Sequence, residues 1–225
     1  MTMDWSPILI SMRTAGLSIV FTFFMGILAA WMVVRISHPL VKTILDGIFT
    51  IPLVLPPTVA GFFLLYVFGV KRPVGQFFLE YFSVKIAFSW GATVLAAVVM
   101  SFPLMYRSAR GAFEQVDDTL VQAARTLGMG EWTIFRKVLL ANAVPGVVSG
   151  GVLAFARGLG EFGATAMIAG NIAGKTRTLP MAVYSEVAAG NMEAAYSYVA
   201  IIVVIAFLSV FLMNGAMWYS QKKSR

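Results

Sequence analysis

The chain contains no cysteine and a single histidine. Disulfides, thiolate metal sites and thiol catalysis are therefore excluded, and no Ser/His/Asp arrangement can be assembled around one histidine, His38, that sits in a loop. The carboxylates are scattered, so no metal site is predicted and no cofactor is called for. Charge is scarce as well: Asp, Glu, Lys and Arg make up 12% of 225 residues against 59% hydrophobic, and the mean hydropathy is +0.83. That balance lies outside the usual range of soluble domains. No low-complexity linker and no separate soluble domain interrupts the chain, which reads as one membrane domain over 1–225.

In place of charge there are long apolar runs. Uncharged stretches cover Thr14 to Val34, Gly47 to Val70, Ile86 to Tyr106, Val138 to Ala156 and Ala194 to Gln221. At about 1.5 Å per helical residue, each can cross a hydrocarbon core of roughly 30 Å. The fourth is expected to carry on past Arg157 to about 169, which predicts five spans near 14–34, 47–70, 86–106, 138–169 and 194–219. Continuous apolarity rather than alternation excludes barrel strands, so the fold class is all-α. The first run is too long for a signal core and lacks a small-residue cleavage site, so it is expected to remain as a span.

Five spans put the two termini on opposite sides. One side then holds Arg35, Lys42, Arg107, Arg110, Arg125, Arg136, Lys137, Lys222, Lys223 and Arg225, and the other Arg13, Lys71, Arg72, Lys85, Lys175 and Arg177, ten against six. The richer side is expected to be cytosolic, with the amino terminus outside and the carboxyl-terminal tail inside. The net charge of +7 is thereby explained by loops and a tail that face anionic lipid, and nucleic-acid binding is not invoked.

Between the third and fourth runs lies a polar segment, Glu114 to Lys137, which this topology places in the cytosol. Asp117 or Asp118 can accept hydrogen bonds from the free amides of a helix start, where a negative charge also suits the helix dipole. Val116, Leu120, Ala123 with Ala124, and Leu127 recur at three- to four-residue steps as a narrow apolar stripe. Gly128 provides a left-handed stop, which predicts a short helix over about 118–128. Its small alanines would let another surface come close to the backbone. An ordinary interfacial helix lying on lipid headgroups is the alternative.

The wording of this segment resembles a known family. Gln122-Ala123-Ala124, three residues, Gly128, and nine residues later Val138-x-Leu140 is similar to the signature loop of permease subunits of ATP-binding-cassette importers. The family pattern has Glu where Gln122 stands and Pro where Ala141 stands. Val116-Asp117, the run from Gln122 to Gly128, Leu153-Ala-Phe-Ala-Arg157 and Gly160-Glu-Phe-Gly-Ala-Thr165 extend the likeness to the molybdate permeases over essentially the whole chain. The resemblance implies a type I importer permease fold and a homodimer in which spans two to five surround the pathway. It also implies two copies of a separate ABC ATPase, an extracytoplasmic molybdate-binding protein, and no ATP hydrolysis by this chain. Asp117, Asp118, Leu120, Gln122, Ala123, Ala124, Arg125, Leu127 and Gly128 would then form a coupling helix seated on the ATPase. Tungstate or sulfate/thiosulfate is an alternative cargo, since tetrahedral dianions differ little in charge. An ion-driven carrier or membrane enzyme acting alone would call for several intramembrane carboxylates.

Two features are candidates for a pathway or gating role, each beside a structural reading. Pro52, Pro56 and Pro57 remove backbone donors from the second run, and the resulting kink serves either packing or a moving element. Arg157 and Glu161 are ionisable within a span and four apart, so on a helix they can neutralise each other; a structural pair and a gating pair both fit. The spans hold no other fixed cation, which favours brief transit of an anion over tight binding. Two nucleotide-like strings carry no weight. Gly158-Leu-Gly160-Glu-Phe-Gly163 lies in no βαβ unit, and Gly174-Lys175-Thr176 follows no strand.

Overall fold

The computed structural model describes residues 4–223, with side chains described through Leu212. The tail cations Lys222, Lys223 and Arg225 lie outside those described side chains. Among the described residues every regular element is helical. Helix α1 spans Ser6–Val34, with Pro7 in its first turn, where a missing amide costs nothing. It thus starts eight residues earlier than the charge-free run. Arg13 does not end it, because that side chain lies on the exposed face and a long cationic side chain can carry its head to the interface.

The second run is not one continuous helix. It is divided into α2, Pro39–Val54, and α3, Pro57–Phe68, whose axes meet at 111°. Leu55, ahead of Pro56, is forced to extended backbone with ψ 141°, and neither Pro56 nor Pro57 can donate to the preceding turn. After α4, Pro73–Phe82, comes α5, Trp90–Glu114, begun by Ser89, whose hydroxyl accepts from the amide of Ala92. The short helices α6, Asp118–Thr126, and α7, Glu131–Ile134, lead through a π-helical turn at Phe135–Leu139 into α8, Leu140–Leu159. The fourth run therefore does not continue as one helix to 169: it stops at Leu159 and resumes as α9, Gly163–Ala169. Helix α10, Leu179–Ala188, lies in the loop region before the long α11, Met192–Lys223. Among the described residues four helices are long and apolar enough to cross a membrane, and a fifth crossing arises if the bent α2–α3 pair is one span.

Helices α1, α5 and α8 form the centre of the molecule. In lipid there is little hydrophobic drive between helices, so close approach and hydroxyl contacts must hold them. Both are present. A Cβ on Gly150 would sit 2.5 Å from the Ser108 side chain, one on Gly146 2.6 Å from Ala112, and one on Gly26 2.6 Å from Met105. Buried Thr14 and Thr93 share a hydrogen bond of 2.9 Å, and Thr22 and Ser101 one of 3.0 Å, both joining α1 to α5. A second core packs α3 on α9 through Ala60, Ala164 and Ile168. Phe21, Phe24, Phe63, Phe207 and many other large apolar side chains remain exposed, as suits a surface that meets lipid.

Candidate functional site

The projecting helix α6 is built by local chemistry. The Asp117 carboxylate accepts from the Thr119 amide at 2.9 Å, and that bond holds its pKa below the ordinary carboxylate value. At the other end Gly128 takes φ +75°, so that its amide and that of Met129 turn back to Arg125 and Ala124. Arg125 donates to Glu131 at 2.8 Å, which raises the guanidinium pKa further. Glu131 also pairs with Arg35 at 3.4 Å, while that guanidinium stacks 4.8 Å over Trp31. Trp31, Trp132 and Phe135 are in mutual ring contact, a platform at the end of α1 against the π-helical turn.

The stripe expected on α6 is in fact two faces. Ala124 is only 4% exposed, and Val121, one turn before it, faces the same interior cavity as Phe113 and Phe135. Leu120, Ala123 and Leu127 are exposed, Leu127 at 80%. Ala124 therefore seats α6 on its own protein and is not a point where another surface reaches the backbone. Val121, passed over in the sequence, belongs to that inner face, and its i, i+3 spacing to Ala124 was the available signal. Gln122, Asp117 and Asp118 are exposed, Asp118 at the edge of the cavity that Val121 faces.

Near α6, a polar cluster fastens α2 to α5. Asp46 pairs with Arg110 and accepts from the Tyr106 hydroxyl at 2.9 Å, while Glu114 receives Lys42 at 2.9 Å and Arg110 at 3.0 Å. Sequence reasoning had no local signal for it, since Asp46 and Tyr106 stand 60 residues apart. Among the described residues, every ion pair other than Arg157–Glu161 involves α2, the end of α1 or α5, α6 or α7. Four of the cations grouped on one side by sequence, Arg35, Lys42, Arg110 and Arg125, are thus gathered in space.

The pathway candidates meet at two helix breaks. Arg157 lies in the last turn of α8, but Glu161 lies beyond its end, so the pair is not a rung on one continuous helix. Glu161 is 2% exposed: its Oε1 accepts from the Ala164 amide at 2.7 Å and its Oε2 lies 2.6 Å from Arg157 Nη1, an ion-pair contact rather than an aligned hydrogen bond. The carboxylate thereby satisfies a free amide at the start of α9 while neutralising the arginine. Gly163 abuts the other break, where a Cβ would fall 2.9 Å from that of Pro57, and a Cβ on Gly61 would fall 2.6 Å from Ala164 Cα. Pro56 and Pro57 are thus brought to the Glu161 turn. Pro52 is not; it lies within α2. Among the described residues no group of three or more His, Asp and Glu could hold a metal ion.

This architecture has known counterparts. A family model described as "Binding-protein-dependent transport system inner membrane component" matches residues 22–225. The chain is 43% identical over 222 residues to the molybdenum transport system permease protein ModB of Escherichia coli, covering 98% of this chain and 96% of that one. It is 36% identical over 223 residues to the protein of the same name from Haemophilus influenzae, covering 99% and 96%. Among solved structures, the MetNI methionine ABC transporter in an inward-facing conformation superposes with a TM-score of 0.72 at 18% identity, over 95% of this chain and 94% of that one, which speaks to fold alone.

Proposed function

The chain belongs to the family of binding-protein-dependent transport system inner membrane components, a multi-pass inner membrane protein, and from that premise we propose that it is the permease subunit of an ATP-driven molybdate importer. The observation that carries the cargo is the 43% identity that runs along 98% of the chain to a molybdenum permease. The chain is a transport subunit and not an enzyme; hydrolysis belongs to a separate ATPase. Its working assembly is a homodimer with two ATPase copies and an extracytoplasmic molybdate-binding protein. Helix α6 is the coupling element in this reading. Capped at both ends and seated through Val121 and Ala124, it presents Leu120, Ala123 and Leu127 outward as a rigid projection able to transmit a push.

Breaks at Leu55–Pro56 and at Gly160–Phe162, packed together through glycines, supply short helices that can shift relative to one another at the pathway. Arg157 is already neutralised by Glu161, so a dianion meets little fixed positive charge on its way, and selectivity rests chiefly with the binding protein. The amino terminus is extracytoplasmic and the tail cytosolic, in keeping with the cations gathered around α6. A cytosolic reporter fused after Arg225 should be active; activity only in the external compartment refutes that orientation.

The test is uptake of radiolabelled molybdate in cells that lack their own permease but carry the ATPase and binding protein. Restored uptake, displaced by excess tungstate more readily than by sulfate, is expected. Uptake of sulfate with no uptake of molybdate would overturn the cargo while leaving the importer class intact.

A further inference from the structure

At the end of the molecule opposite α6, Ile10 and Arg13 of α1, Trp90 at the start of α5, and Gly174 and Lys175 of the loop before α10 line a pocket of about 320 Å³. Two cations thus share one cavity. Arg35 at the other end of α1 is engaged by Glu131, and nearby Arg177 donates to Asn171 at 2.9 Å. Among the described residues no carboxylate lies within ion-pairing distance of Arg13 or of Lys175.

The depth of this pocket follows from helix geometry. Arg35 is the residue that follows α1, 22 residues beyond Arg13, about 33 Å at about 1.5 Å per residue, close to the roughly 30 Å of a hydrocarbon core. Between them α1 exposes Leu17, Val20, Phe21, Phe24, Leu28 and Met32. Arg13 therefore stands at the membrane–water boundary, where a tryptophan such as Trp90 is also at home. The indole N–H of Trp90 donates to Thr14 at 3.0 Å, so the ring is held in place as a wall of the pocket. Lys175 is placed by an ordered turn: buried Thr176 accepts from the Ile172 amide at 3.0 Å, and Gly174 takes φ +70°.

We propose that this pocket is a binding site for a tetrahedral phosphate-type anion, with Arg13 offering a forked guanidinium and Lys175 a point charge. Its position favours the phosphodiester of an anionic lipid headgroup in the external leaflet; a free oxyanion has the same chemistry. The inference goes beyond the transport reading, which stands or falls separately with molybdate uptake.

The experiment is native mass spectrometry of the intact importer titrated with phosphatidylglycerol or phosphatidylcholine, with and without millimolar inorganic phosphate. At about 1 kcal/mol per interfacial cation, R13Q or K175Q should weaken phosphatidylglycerol binding about fivefold and the double variant about thirtyfold, while R13K/K175R retains it. Binding of phosphatidylglycerol that phosphate does not displace assigns the site to lipid. Displacement by phosphate, lost in R13Q/K175Q, assigns it to a free oxyanion. If R13Q/K175Q binds both probes as the wild type does, or if phosphatidylcholine binds equally well, the proposal is wrong.

Discussion

Glu161 offers the sharpest test of how the broken fourth run is held. Its two oxygens do separate jobs, one accepting from the Ala164 amide at 2.7 Å and the other meeting Arg157 at 2.6 Å. E161Q keeps an acceptor for the amide and removes only the charge. Stranding one partner of a fully buried pair costs about 3–5 kcal/mol, but the Arg157 side chain is 27% exposed and recovers solvation, so about 1–2 kcal/mol is expected. E161A also leaves a buried amide without an acceptor, adding about 1–3 kcal/mol. R157M is the harsher change to the pair, because the carboxylate left behind is 2% exposed and keeps only one amide, a cost near the upper end of about 3–5 kcal/mol. Combining R157M with E161Q should recover part of that loss. The order of thermal unfolding midpoints for the purified importer in detergent should be wild type, E161Q, then E161A and R157M, with the double variant above R157M alone. If E161Q and E161A unfold together, or R157M is no worse than E161Q, the divided role assigned to this carboxylate is wrong. Loss of uptake in E161Q at wild-type stability would instead make the pair a gate.

Other outcomes follow from the packing. A123W should leave folding unchanged and abolish stimulation of the ATPase by the permease, whereas A124W should lower the unfolding midpoint by overpacking the inner face of α6, about 1–3 kcal/mol; equal behaviour of the two in both assays contradicts the two-faced helix. G61V should prevent α3 from reaching α9 and cut uptake strongly, while G47A, with open space around the glycine, should be tolerated or slightly stabilising; a G61V importer with normal uptake would count against the packed breaks. Because the Thr119 amide holds the Asp117 carboxyl low, the cap on α6 is complete above the ordinary carboxylate value of about 4 and is lost as pH falls through the depressed folded value. Exchange of the Thr119 amide, corrected for its intrinsic pH dependence, should therefore be slow at pH 6, lose its protection in the wild type at a pH below the depressed Asp117 value, and be unprotected at both pH values in D117A; a wild type with the same protection at both would deny the cap.

Much of the molecule can be read from neighbouring residues alone. The absence of charge over membrane-length runs establishes the class, and Asp117 with Gly128 delimits α6 because a cap acts only on amides and carbonyls within one turn of itself. Pro56 and Pro57 announce a disturbance for the same reason. Its size, a 111° turn, depends on α3 having α9 to pack against. Glu161 could be matched to Arg157 by spacing, but that it lies off the helix and caps α9 follows from a break at Gly160 that no periodicity marks. Ala124 and Ala123 are identical in sequence terms, and opposite in burial because α6 has one face turned to Val121's cavity and one to the outside. The Asp46, Tyr106 and Arg110 cluster, and the cavity shared by Arg13 and Lys175, join residues far apart in the chain. Short-range rules of capping, hydropathy and backbone sterics are written in adjacent letters, whereas which distant side chains share a space is settled when helices find the close approaches their small residues permit.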